Sequence, residues 1–184
     1  NTPGNTVSNL SSSRALRDIT IKHQGNYNAS AVGEVNVVEM MKATNAVIGG
    51  EGNGGIIYPE SHYGRDSLVG VALFLSHLAQ MKMSCKQLRD LYPSYFMSKN
   101  KIELTPMVNV DKILNEIIKL YKSEEISTVD GVKIDFETEW IHLRKSNTEP
   151  IIRIYTESNS QENADALAKK IMYEIQEISL KNIV

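Results

Sequence analysis

Apolar residues recur with two different periods along the first half of the chain. Residues 5–10 (NTVSNL) read as a strand. Residues 14–23 carry apolar positions at helical spacing behind Ser11, Ser12 and Ser13, any of which can cap a helix. Gly25 breaks that helix, residues 27–32 return to strand character, and a second helix runs through Val37, Val38 and Met41. A strand over 46–48, the glycine run GGEGNGG at 49–55 and a strand over 56–58 follow. The apolar run LVGVALFLSHL at 68–78 stands behind Asp66, a good N-cap residue. It is too short for the roughly 20 residues that span a bilayer and reads as a core helix. Strands alternating with helices in this order predict an α/β domain with a mixed sheet and crossover helices.

Around residues 84–94 (SCKQLRDLYPS) a short amphipathic turn ends at Pro93, and the rhythm changes. A strand over 95–104 precedes a helix over 110–122 with Val110, Ile113, Leu114, Ile117 and Leu120 on one face. Strands are expected near 127–134, where Asp130-Gly131 marks a tight hairpin turn, and at 139–144 and 151–157. The final helix, 161–180, places Ala164, Leu167, Ala168, Ile171, Ile175 and Ile178 at helical spacing. That pattern predicts a smaller α+β domain with an antiparallel sheet and helices on one face. The domains are expected at 1–92 and 93–184.

Composition narrows the function. A net charge of −2 with interspersed signs argues against a nucleic-acid or membrane partner. The single cysteine, Cys85, excludes an internal disulfide and fits a reducing, cytoplasmic setting. One cysteine and four scattered histidines show no zinc spacing.

Two loops carry candidate chemistry. RKSNTEP, at 144–150, joins two alternating stretches. Period-two alternation sets Trp140, His142 and Arg144 on one face and Ile141 and Leu143 on the other, so Arg144 leaves the sheet at its end. Arginine offers two parallel donors to a phosphate, Ser146, Asn147 and Thr148 add short donors, and successive N–H groups can form an anion nest. Turn chemistry alone would account for Ser, Asn and Thr, but not for Arg144 and Lys145 beside them. In GGEGNGG, Glu51 is an acceptor suited to sugar hydroxyls and Asn53 both donates and accepts. The run is not a dinucleotide or Walker loop, and a flexible connection would explain its glycines equally well.

Together these loops resemble the C-terminal half of an α-D-phosphohexomutase, the superfamily of phosphoglucomutase, phosphomannomutase and phosphoglucosamine mutase. GGEGNGG resembles the sugar-binding G-E-x-S/N-G motif of the third domain, and RKSNTEP the phosphate-binding R-x-S-G/N-T-E-P motif of the fourth. They stand in the family's order about 90 residues apart, with a family-like HYGRD between them. The resemblance implies that Glu51 and Asn53 bind sugar hydroxyls and that Arg144, Ser146, Asn147 and Thr148 hold the phosphate of a hexose phosphate. Arg153 reads as an exposed strand arginine. Two positions depart from the pattern: Gly55 stands where many relatives have histidine, and Glu34 where others do.

The family interconverts hexose 1-phosphate and hexose 6-phosphate through a phosphoserine and a bisphosphate intermediate. Its catalytic serine loop (T-A/G-S-H-N-P) and magnesium loop (D-G-D-x-D-R) belong to the first two domains, and neither pattern occurs here. His62, Asp130 and Asp135 lack the required surroundings. The resemblance therefore implies a fragment without catalytic or metal-binding residues, inactive without the family's domains 1 and 2, with Mg2+ bound only by the full-length enzyme. A stand-alone phosphosugar-binding or regulatory module, or a structural α/β protein, remains open.

Overall fold

The computed structural model describes residues 3–105, 108–146 and 151–181 of the chain. It divides into two compact units, Asn1–Ser94 and Tyr95–Val184. The first contains β1 (Thr6–Asn9), α1 (Ala15–Lys22), β2 (Tyr27–Ser30), α2 (Glu34–Thr44), β3 (Ile48–Glu51), β4 (Gly55–Tyr58), β5 (His62–Arg65), α3 (Ser67–Met81) and α4 (Cys85–Arg89). Its sheet has the order β2-β1-β3-β4-β5. The first three strands are parallel and the last two antiparallel, so the sheet is mixed.

All four residues of β1 are buried, as a central parallel strand covered on both faces requires. Val7 joins Val37, Met41, Ala46 and Ile57 in the core beneath α2. On the other face Thr6 Oγ1 lies 2.6 Å from Thr20 Oγ1 of α1, a polar pair that binds helix to strand. The chain runs from β1 to β2 and then back past β1 to β3. The strand order therefore reverses beside β1, and the carboxyl ends of the parallel strands form the crevice where such sheets bind ligands.

Three local expectations differ from the structure. Gly49 and Gly50 belong to β3, so the irregular loop shrinks to residues 52–54. Residues 62–65 form β5, which the hydropathy pattern does not mark because His62, Tyr63 and Arg65 are exposed on an edge. The helix expected in the core, α3, has no buried residue, and Leu68 is 79% exposed. Asp66 caps it, accepting from the N–H groups of Leu68 and Val69. Its apolar residues surround the helix, and within this unit it packs chiefly against β4 and α4.

The second unit contains β6 (Phe96–Glu103), α5 (Val110–Leu120), β7 (Glu125–Ser127), β8 (Val132–Asp135), β9 (Trp140–Lys145), β10 (Ile151–Ser158) and α6 (Gln161–Lys181). Its sheet, β6-β10-β9-β8-β7, is antiparallel throughout. Ile141, Leu143, Ile152 and Ile154 meet Ile113 and Ile117 of α5 and Ile171 and Ile175 of α6 in one large core. The helices cover one face. Trp140 and His142 lie on the other and are nonetheless buried, Trp140 Nε1 donating to Glu157 and His142 Nε2 to the Asp130 carbonyl.

Candidate functional site

In the first unit three strand ends converge on one carboxylate. Glu51, whose side chain is 7% exposed, closes β3. Its Oε1 accepts from Asn9 Nδ2 at the end of β1 (2.9 Å) and from the Gly33 N–H that follows β2 (3.2 Å). Its Oε2 lies 3.7 Å from Arg65 Nη1. The adjoining turn is fixed from within: Asn53 Oδ1 accepts from the Gly55 N–H and Ser12 Oγ from the Gly52 N–H. A depression of about 390 Å³ opens beside it, lined by Glu34, Asn53, Gly54, Gly55, Arg65 and Ser67. Glu34 is bonded to Arg65 twice, Oε1 accepting from the backbone N–H (3.0 Å) and Oε2 from Nε (2.8 Å). These bonds, the backbone one first, hold the Glu34 carboxyl below its ordinary pKa.

In the second unit the β7–β8 turn folds back over β9. Gly131 (φ +70°) allows this, because a side chain there would be strained and would meet the Leu143 carbonyl. The turn brings Asp130 to two side chains of β9. His142 Nε2 donates to the Asp130 carbonyl at 2.7 Å, and Arg144 Nε lies 2.8 Å from the Asp130 carboxylate. Arg144 is thus ion-paired at the end of the strand. Lys145 leaves on the opposite face and pairs with Asp111 in the first turn of α5, at 2.9 Å. The Ser146 N–H donates to the Ile151 carbonyl and closes the neck of the connection (3.0 Å). Asn147 and Thr148 lie outside the described residues.

Sheet pairing adds cations that the sequence does not group. Arg153 is in register with Arg144 on one side and Lys101 on the other. With Lys99 and Tyr155 it lines a depression of about 380 Å³ beside Ile151. Alternation along β6 marks Lys99 and Lys101 as one face. Their neighbours depend on register, which a single strand does not reveal.

Residues 1–95 match the family model described as phosphoglucomutase/phosphomannomutase, alpha/beta/alpha domain III. Residues 100–173 match the C-terminal domain of the same family. The chain belongs to the phosphoglucomutase/phosphomannomutase family. It is 35% identical over 167 residues to the phosphoglucosamine/phosphogalactosamine mutase of Sulfurisphaera tokodaii, covering 90% of this chain and 37% of that protein. It is 34% identical to the phosphoglucomutase/phosphomannomutase of Thermococcus kodakarensis, covering 86% of this chain and 35% of that one. It thus spans little more than a third of these relatives. A phosphoglucomutase/phosphomannomutase family protein from Burkholderia thailandensis shares the fold, with a TM-score of 0.70 at 20% identity over 96% of this chain and 37% of its own. So does Aspergillus fumigatus N-acetylphosphoglucosamine mutase, solved with GlcNAc-6P and magnesium, with a TM-score of 0.65 at 14% identity over 96% and 39%.

Among the described residues no group of three or more His, Cys, Asp or Glu side chains is arranged to hold a metal ion. No described helix is long and apolar enough to cross a membrane.

Proposed function

We propose that this chain is the substrate-binding part of a phosphosugar mutase that interconverts hexose 1-phosphate and hexose 6-phosphate. The first unit holds the sugar through Glu51 and Asn53, and the second holds the phosphate that is not being transferred through Arg144, Ser146, Asn147 and Thr148. The family's phosphoserine and magnesium belong to preceding domains 1 and 2, and without them the chain is inactive. Binding energy from the remote phosphate and the ring would hold the reacting end in place.

The observation that carries this reading is the ion pair that Arg144 makes with Asp130 at the mouth of a short polar loop, Nε 2.8 Å from the carboxylate. A side chain restrained in that way loses less freedom when its guanidinium grips a phosphate. The measurement is a titration of the chain with glucose 1-phosphate and glucosamine 1-phosphate, following backbone amides. Arg144→Ala removes charge-assisted bonds worth roughly 3 kcal/mol, so affinity should fall about a hundredfold or more. Melting should hardly change, because a partly exposed ion pair contributes only about 0–1 kcal/mol. Unchanged affinity, or loss of the fold, would sink the phosphate assignment.

A further inference from the structure

Position 55 is empty for a reason that lies ten residues further on. Gly55 is not among the residues with positive φ, so its backbone would accept a side chain. The obstacle is Arg65, since a Cβ at 55 would stand 2.6 Å from Arg65 Cδ and 3.0 Å from Cγ. The arginine stem therefore crosses the end of β4 where a side chain would otherwise rise.

Its head group is then held from two sides. Glu34 takes Nε and the backbone N–H with its two oxygens, and Glu51 Oε2 lies near Nη1. Half-exposed ion pairs add little stability, about 0–1 kcal/mol each. Stability alone gives a weak reason to gather two carboxylates and a guanidinium at the carboxyl ends of parallel strands. A guanidinium has five N–H donors. Among the described residues that of Arg65 is hydrogen-bonded through Nε alone, while the residue lines the depression beside Asn53 and Gly54.

We propose that Arg65 reads the sugar. Its terminal N–H groups donate to one hydroxyl oxygen of the bound hexose, and Glu34 is the positioning residue that sets their direction. A guanidinium has no acceptor and repels an ammonium group, so the contacted carbon carries a hydroxyl rather than an amine. This rests on the reading of the 52–54 loop as a sugar site.

The test is an amide-shift titration of wild type, Arg65→Met, Gly55→Ala and Glu34→Gln with glucose 1-phosphate, its monodeoxy analogues and inorganic phosphate. Arg65→Met keeps the stem and removes the donors, while Gly55→Ala keeps the donors and displaces the stem. Both should weaken glucose 1-phosphate roughly tenfold or more and leave inorganic phosphate unchanged. One deoxy analogue should bind wild type and Arg65→Met alike, naming the oxygen that is read. Glu34→Gln should weaken glucose 1-phosphate but not that analogue, a pattern that a merely structural role would not give. If wild type responds to glucose 1-phosphate at residues 52–55 and Arg65→Met binds it equally well, the role of Arg65 is overturned and the sugar site stands. A loss shared by inorganic phosphate, or equal for every deoxy analogue, also overturns it. If wild type shows no response at 52–55, the sugar-site reading falls and takes this inference with it.

Discussion

Asp130 acts on two neighbouring side chains through different atoms. Its carboxylate pairs with the Arg144 guanidinium, and its carbonyl accepts a hydrogen bond from His142 Nε2–H. Burial pushes His142 down to about 4, although the Asp130 carbonyl and carboxylate oppose the change. An unfolded chain takes up a second imidazole proton near pH 6.5, whereas the folded chain resists it until about 4. Stability is therefore complete above pH 6.5 and declines as the pH falls through that window, by roughly 3 kcal/mol at its lower end. His142→Gln should flatten this part of the curve of melting temperature against pH. A decline of the same steepness in the variant would show that other groups govern it. Glu51 illustrates the opposite case, a residue type legible as an acceptor whose bonding only the fold reveals. One oxygen ties together the ends of β1, β2 and β3, and the other lies near Arg65.

At the scale of elements, local capping signals are only part of what decides a helix start. Asp66 caps α3 as expected, whereas α1 begins behind Arg14 with no side-chain cap rather than behind Ser11, Ser12 or Ser13. Asn109, which the sequence reading does not single out, caps α5 by accepting from the Lys112 N–H at 3.1 Å. Since α5 seats Ile113 and Ile117 in the core, its start affects the unit as a whole. Asn109→Ala should cost about 1 kcal/mol in denaturant unfolding and Asn109→Gly only a few tenths. Equal losses for the two would assign the effect to packing rather than to the cap. Strand β5 escaped notice because an exposed edge carries no apolar alternation, and α3 was misplaced because apolarity does not say what covers a helix. Register was equally hidden. The row Lys101, Arg153, Arg144 arises from the mutual alignment of β6, β10 and β9, each of which shows only its own alternation.

At the scale of the molecule the units differ in how much core they possess. Among the described residues the core of the second unit spans both helices and all strands but β7, while that of the first centres on Val7, Val37, Met41, Ala46 and Ile57. Local stability follows buried apolar contact. Amides of β9 and β10 should therefore exchange with solvent more slowly than those of β1, as measured by native-state hydrogen exchange. Equal or greater protection in β1 would contradict that ranking. The sequence by itself determined the order of strands and helices apart from β5, the two-part organisation and the residue types of both loops. Each of these follows from spacings of 2 and 3.6 residues, from caps, or from a short run of side chains. Only the tertiary structure decided that Asp130 pairs with Arg144, that Lys145 turns to the opposite face, that Arg65 occupies the space above Gly55 and that no residue of α3 is buried. These outcomes depend on residues far apart in the chain, brought together by the sum of many weak contacts that no local window contains.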